Sequence, residues 1–122
     1  MDMETGLKEA MEIDGAIGVA LVDHESGMAL GTLGGGRYLD LEVAAAGNTE
    51  VVRAKMRTLQ ALNLDEKIDD ILITLTSQYH VIRLLTSRQG GGLFLYLALD
   101  RDRSNLAMAR HRLRQIEAAL VV

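Results

Sequence analysis

Cysteine, proline and tryptophan are all absent from this 122-residue chain, and aromatic residues make up only 3% of it. Without cysteine there is neither a disulfide nor a thiolate metal ligand, a composition that suits a reducing cytoplasm. Without proline, every turn must draw on Gly, Asn, Asp or Ser. So few aromatics leave little for base-stacking platforms or cation cages. No apolar run approaches the roughly 18 residues that a membrane span needs. The acidic opening Met1-Asp2-Met3-Glu4 lacks the apolar segment of a secretory signal. A net charge of −4 argues against a general nucleic-acid binder. What remains is a chain sized for one domain, residues 1–122, able to bury about two thirds of its unfolded surface without a staple.

Hydropathy periodicity divides the chain into eight elements in the order α-β-β-α-β-β-β-α. Leu7, Ala10 and Met11 recur at helical spacing in a first helix over Met3–Ile13, which Asp14-Gly15 ends. Ala16–Asp23 and Met28–Leu33 read as strands joined by the turn His24-Glu25-Ser26-Gly27, with Gly27 free to take positive φ. After Gly34-Gly35-Gly36 a long helix covers Leu41–Leu62, with Asp40 as its N-cap and Asn63 as its stop. Ile68–Thr76, Tyr79–Ser87 and Leu93–Leu99 form an antiparallel meander with short connectors, Ser77-Gln78 and Arg88–Gly92. Ser104 is the expected N-cap of a final helix with the stripe Leu106, Ala109, Leu113, Ile116 and Leu120. Strands that are apolar on both faces call for helices on both sides of one antiparallel sheet, an α+β architecture.

The long helix has more apolar surface than one core requires. At about 100° per residue, Ala44, Gly47, Val51, Ala54, Thr58 and Leu62 share one side. Leu41, Ala45, Val52, Met56 and Leu59 lie about a quarter turn away, and Glu42, Thr49, Glu50, Arg53, Arg57 and Gln60 fill the rest. An ordinary surface helix needs a stripe about 100° wide, and this one is nearly twice that. Either the helix is sunk between two layers of one domain, or its second stripe meets a partner.

The candidate chemistry is thin. Asp23-His24-Glu25-Ser26 holds the residue types of a hydrolytic triad. Consecutive residues in a tight turn splay apart, however, and triads draw their members from distant segments. His24, His80 and His111 sit on different elements without metal-ligand spacing, and neighbouring Asp69-Asp70 does not supply it. His80 reads as a satisfied core or rim histidine. The Gly31–Gly36 stretch lacks the Lys-Ser/Thr ending of a phosphate loop and ends a hairpin rather than a parallel crossover, so it reads as a connector. Gly90-Gly91-Gly92 reads as a hairpin loop. The C-terminal arginines 101, 103, 110, 112 and 114 face only Asp102 and Glu117 locally. The first fourteen residues are as clearly acidic, so the terminal helices are expected to lie side by side with opposed charges.

Together these features resemble the roadblock (dynein light-chain) family, particularly the bacterial type that partners Ras-like small GTPases. The similarity runs through the Ile13–Asp23 stretch with Gly27 after it, the Ala-rich long helix, Ile71-Leu72-Ile73-Thr74, Tyr79–Leu85 and the apolar Leu93–Leu99 strand. The resemblance implies a five-stranded antiparallel sheet with the middle helix on one face and the terminal helices on the other. It also implies a homodimer formed by antiparallel pairing of the middle helices and edge-to-edge joining of the third strands. The expected dimer residues are then Leu41, Ala45, Val52, Met56 and Leu59 on the helix, with Leu72 and Thr74 on the strand. A GTPase would meet the polar strip Glu42, Thr49, Arg53, Arg57 and Gln60. The protein would be a non-enzyme needing no cofactor or metal, and it would rearrange the GTPase's own catalytic groups or merely bind it. The alternatives are a scaffold subunit with no effect on GTP hydrolysis and a small-ligand sensor, which would need a deep apolar pocket with convergent polar groups. Lys55 falls between the two stripes, and its role is left open.

Overall fold

The structure is a computed structural model describing residues 1–86 and 91–122. The elements follow the expected order: α1 (Met3–Met11), β1 (Ala16–Asp23), β2 (Met28–Gly34), α2 (Leu41–Ala61), β3 (Asp70–Thr74), β4 (Gln78–Leu84), β5 (Leu93–Asp100) and α3 (Leu106–Ala119). A short 3-10 turn, Arg101–Arg103, precedes α3. All strand pairs are antiparallel, and the sheet order is β2-β1-β5-β4-β3, so β2 and β3 are its two edges. The expectations placed on Ser87 and on Arg88–Gly90 lie outside the described residues.

Local chemistry sets the element ends. The Asp40 carboxylate accepts from the Glu42 and Val43 amides at the start of α2. Asn63, at φ 57°, takes the left-handed conformation that stops it. Gly27, at φ 78°, closes the β1–β2 turn, and its amide donates to the Asp23 carbonyl. The last helix departs from expectation. Asn105, not Ser104, is the N-cap, because its side chain accepts from the Met108 amide. Ser104 instead ends the 3-10 turn, with its hydroxyl buried and unpartnered among the described residues. The first helix stops at Met11 rather than Ile13. Strand β3 is shorter than the alternation suggested: the Leu75 amide has already turned to the Gln78 carbonyl.

The sheet divides the core in two. On one face Val19, Leu21, Val81, Leu95, Leu97 and Leu99 pack against Leu7 and Ala10 of α1 and Ala109, Leu113 and Ile116 of α3. The close approach of α1 to α3 depends on Gly6, where an added Cβ would fall 2.7 Å from Leu120 Cδ2. On the other face Ala20, Val22, Ile82, Phe94, Tyr96 and Ala98 pack against Leu41, Ala45 and Val52 of α2. This is the two-sided arrangement that the resemblance implied.

The opposed charges of the terminal helices are joined at one point, where Arg112 reaches Glu9 at 2.6 Å. Arg110 turns instead to β3 and grips Asp70 through two 2.8 Å hydrogen bonds. Arg83 of β4 and Glu117 of α3 form a buried ion pair at 3.3 Å. Arg101 donates to the Leu75 carbonyl at 2.8 Å and lies over the Tyr79 ring.

Candidate partner-binding surface

Helix α2 is the element with surface to spare, but its two stripes are used the other way round from the sequence expectation. Ala45 and Val52 are 0% exposed, and Leu41 is buried with them against the chain's own sheet. These three cannot meet a second copy while the domain is folded, so their assignment to a dimer interface is corrected. Thr49 is corrected too. It is buried, with its hydroxyl donating to the Ala45 carbonyl at 2.7 Å, and so is withdrawn from any partner. Periodicity gives the angle between two stripes but not which one faces inward. Bulk decides: the stripe that carries Leu41 and Val52 fills the space above Ala20, Val22 and Ala98.

The outward surface is the small-residue stripe. Gly47, Val51, Ala54, Thr58 and Leu62 of that stripe are exposed, Leu62 to 60%, whereas its first member Ala44 packs half-buried on the core; Val43, beside the stripe, is 68% exposed. Helical geometry fixes where this stripe looks. Thr49 and Ala46 lie against Gly27 of the β1–β2 turn. The opposite flank, carrying Val51, Lys55, Leu59 and Leu62, therefore leans toward β4 and β3. Leu59 lines a cleft with Leu84 and Leu93 on that side. Lys55 is exposed on the same flank. Beyond it, Ile71 and Ile73 of edge strand β3 are only half-buried on the α2 side of the sheet, Ile71 packing against the edge of the core beneath the helix. Their neighbours across the ladder are Ile82 and His80. Leu72 points to the other face, where it packs on the α1/α3 core, and Thr74 is exposed at the edge.

The polar strip lies on the flank toward the hairpin turn. Glu42, Arg53, Arg57 and Gln60 are all exposed, and Arg53 and Arg57 line a shallow cleft with His24, Glu25 and Met56. Met56 belongs to both clefts, at the margin of the core rather than on the outer face.

The other candidates resolve into structural roles. In the β1–β2 turn the Glu25 amide and the Ser26 hydroxyl both donate to the Asp23 carboxylate, which these hydrogen bonds hold below the usual aspartate range. Ser26 Oγ thus serves the turn, with no base between it and the carboxylate. His80 is held between Gln78 and Tyr96: Nε2 lies 2.8 Å from Gln78 Oε1, and the Tyr96 hydroxyl lies 3.2 Å from Nδ1. Burial lowers the His80 pKa and raises that of Tyr96 to about 12. A cleft of about 500 Å³ opens between the end of α2 and the β4–β5 side, lined by Met56, Leu59, Leu64, Leu84 and Leu93 with His24, Gln60, Glu66 and Lys67 at its margins. Its polar groups sit at the rim and do not converge on a buried point. Among the described residues no three His, Asp or Glu side chains group to hold a metal, and no helix is long and apolar enough to cross a membrane.

The sheet order, with one helix on one face and two on the other, defines the roadblock/LC7 fold. The chain superposes on a roadblock/LC7 domain from Streptomyces avermitilis with a TM-score of 0.75 at 14% identity, covering 98% of this chain and 94% of that one. MglB from Myxococcus xanthus matches with a TM-score of 0.74 at 17% identity over 93% of this chain and 84% of the other. The gliding protein MglB from Thermus thermophilus matches with a TM-score of 0.71 at 15% identity, over 94% and 87%. No protein-family model and no curated protein sequence matches the chain.

Proposed function

We propose that the protein is a homodimeric, non-catalytic regulator of a cytoplasmic Ras-like small GTPase. The observation that carries this reading is the outward stripe of α2, with Gly47, Val51, Ala54, Thr58 and Leu62 exposed beside an uncovered sheet edge. Small residues let two helix backbones approach closely, and a second copy of α2 would cover both this stripe and the half-buried Ile71 and Ile73. Pairing of β3 with its twin would satisfy an edge that is otherwise open. The bacterial roadblock proteins that the sequence resembles use such a helix pair to meet a GTPase, and MglB proteins are among the chain's structural neighbours. In this reading Glu42, Arg53, Arg57 and Gln60 form the polar flank offered to the GTPase. As the resemblance implies, its contribution to hydrolysis would be to position the GTPase's own groups.

GTP turnover by a Ras-like GTPase of the same organism, measured with and without the protein, tests the proposal. A rise in turnover that the Arg53→Glu, Arg57→Glu double variant abolishes supports regulation. A stable complex with unchanged turnover selects the scaffold reading. Neither complex nor turnover change with any such GTPase contradicts both.

A further inference from the structure

The loop before α2 is closed by its own backbone hydrogen bonds and stands out as a prong. Gly36 and Leu39 exchange two backbone hydrogen bonds of 3.1 Å, and Leu39 is tucked against the α2-side core. The turn therefore projects the two residues between them. Arg37 and Tyr38 stand together with the guanidinium 5.6 Å from the ring centroid, and Tyr38 is 92% exposed. A fully exposed tyrosine paired with an arginine has the composition of an interface anchor. Arg37 makes no ion pair among the described residues.

At the other end of α2 lies a complementary segment. Leu62 and Leu64 are exposed apolar side chains, and Asp65 and Glu66 follow them, exposed and without ion pairs among the described residues. Along the sequence the two features are symmetric about the helix. The midpoint of α2 is Val51, Tyr38 lies as far before Val51 in sequence as Leu64 lies after it, and Arg37 as far before as Asp65 after. In an antiparallel pair of α2 helices related by a twofold axis at Val51, each prong meets the other chain's acidic-apolar segment, at both ends.

We infer that a second copy of this chain is the occupant of the prong: Tyr38 packs on its Leu62 and Leu64 while Arg37 pairs with its Asp65 and Glu66, so that the two ends clamp the helix pair in one register. This rests on the α2-paired dimer proposed above. It adds the chemistry that fixes orientation, since a parallel pairing would place prong against prong and acid against acid.

A charge swap tests it. Arg37→Glu, and separately Asp65→Lys with Glu66→Lys, each places like charges at both ends of a homodimer. Each is expected to weaken dimerisation about tenfold, as an exposed ion pair is lost at each of the two ends. Mixed, the two variants restore opposite charges at both ends, so native mass spectrometry should show the heterodimer in excess of either homodimer and sedimentation should recover wild-type affinity. A statistical mixture of the three dimers, with unchanged affinities, overturns the clamp while leaving the dimer intact. A wild-type chain that stays monomeric at all concentrations fails the underlying dimer reading instead, and the clamp with it.

Discussion

The two faces of α2 have nearly the same number of apolar positions but opposite fates. The inner face carries Leu41, Ala45 and Val52 in the core over β1 and β5, while Met56 and Leu59 line the cleft beside it. The outer face is small and flat, with Gly47, Val51, Ala54 and Thr58, and it stays exposed. At the middle of the helix side-chain size separates the two faces, with Val52 in the core and Gly47 and Ala54 left exposed. A core needs volume to reach native packing density. A helix pair needs backbones brought close.

Substitutions on the two faces should therefore fail in different ways. Val52→Asp puts a carboxylate into a site with no exposure. It should cost about 3–5 kcal/mol and show as loss of cooperative thermal unfolding, whatever the oligomeric state. Glu117→Ala strands the Arg83 guanidinium in the α3–β4 interface. An effect of similar size, about 3 kcal/mol, is expected in denaturant titration, and replacing the pair together by Met and Leu should recover most of it. Thr49→Val removes one hydroxyl that bonds within its own helix. It should shift stability by about 1 kcal/mol or less and leave partner binding unchanged, which would separate Thr49 from Arg53 and Arg57.

The smallest effect concerns pH. Burial depresses His80 below its ordinary value of 6.5, so the unfolded chain binds a proton that the folded chain resists. Stability should therefore rise with pH from the depressed value up to about 6.5 and level off above it. His80→Gln should flatten that slope in melts taken between about pH 5 and pH 8.

Much of the architecture is legible in the sequence because it is written in local signals. The Asp40 cap, the Asn63 stop and Gly27 in its turn each act within a few residues and stand where those signals place them, and every expected strand is present, β3 shortened at both ends. Departures arise where a neighbour in space decides. Ser104 has the chemistry of a cap, but the 3-10 turn held by Asp100 displaces the start of α3 by one residue. A helical wheel can turn Leu41, Ala45 and Val52 outward because it has no knowledge of the sheet beneath the helix. The contrast of Gly47, Ala54 and Thr58 with Leu41, Val52 and Leu59 is the signal that side-chain volume adds to periodicity. The Arg37–Tyr38 prong is invisible to such patterns because its exposure depends on the Gly36–Leu39 turn, which no periodicity encodes.

The mass of the folded protein in solution is the most direct test of the contrast between the two faces. Sedimentation equilibrium of the wild-type chain and of Ala54→Glu, an exposed helix position where glutamate is well tolerated, should give a dimer and a folded monomer with melting temperatures for the subunit that differ little. A wild-type monomer at every concentration, or an Ala54→Glu chain that remains a dimer, would contradict the claim that the outer face of α2 is where this chain meets its twin.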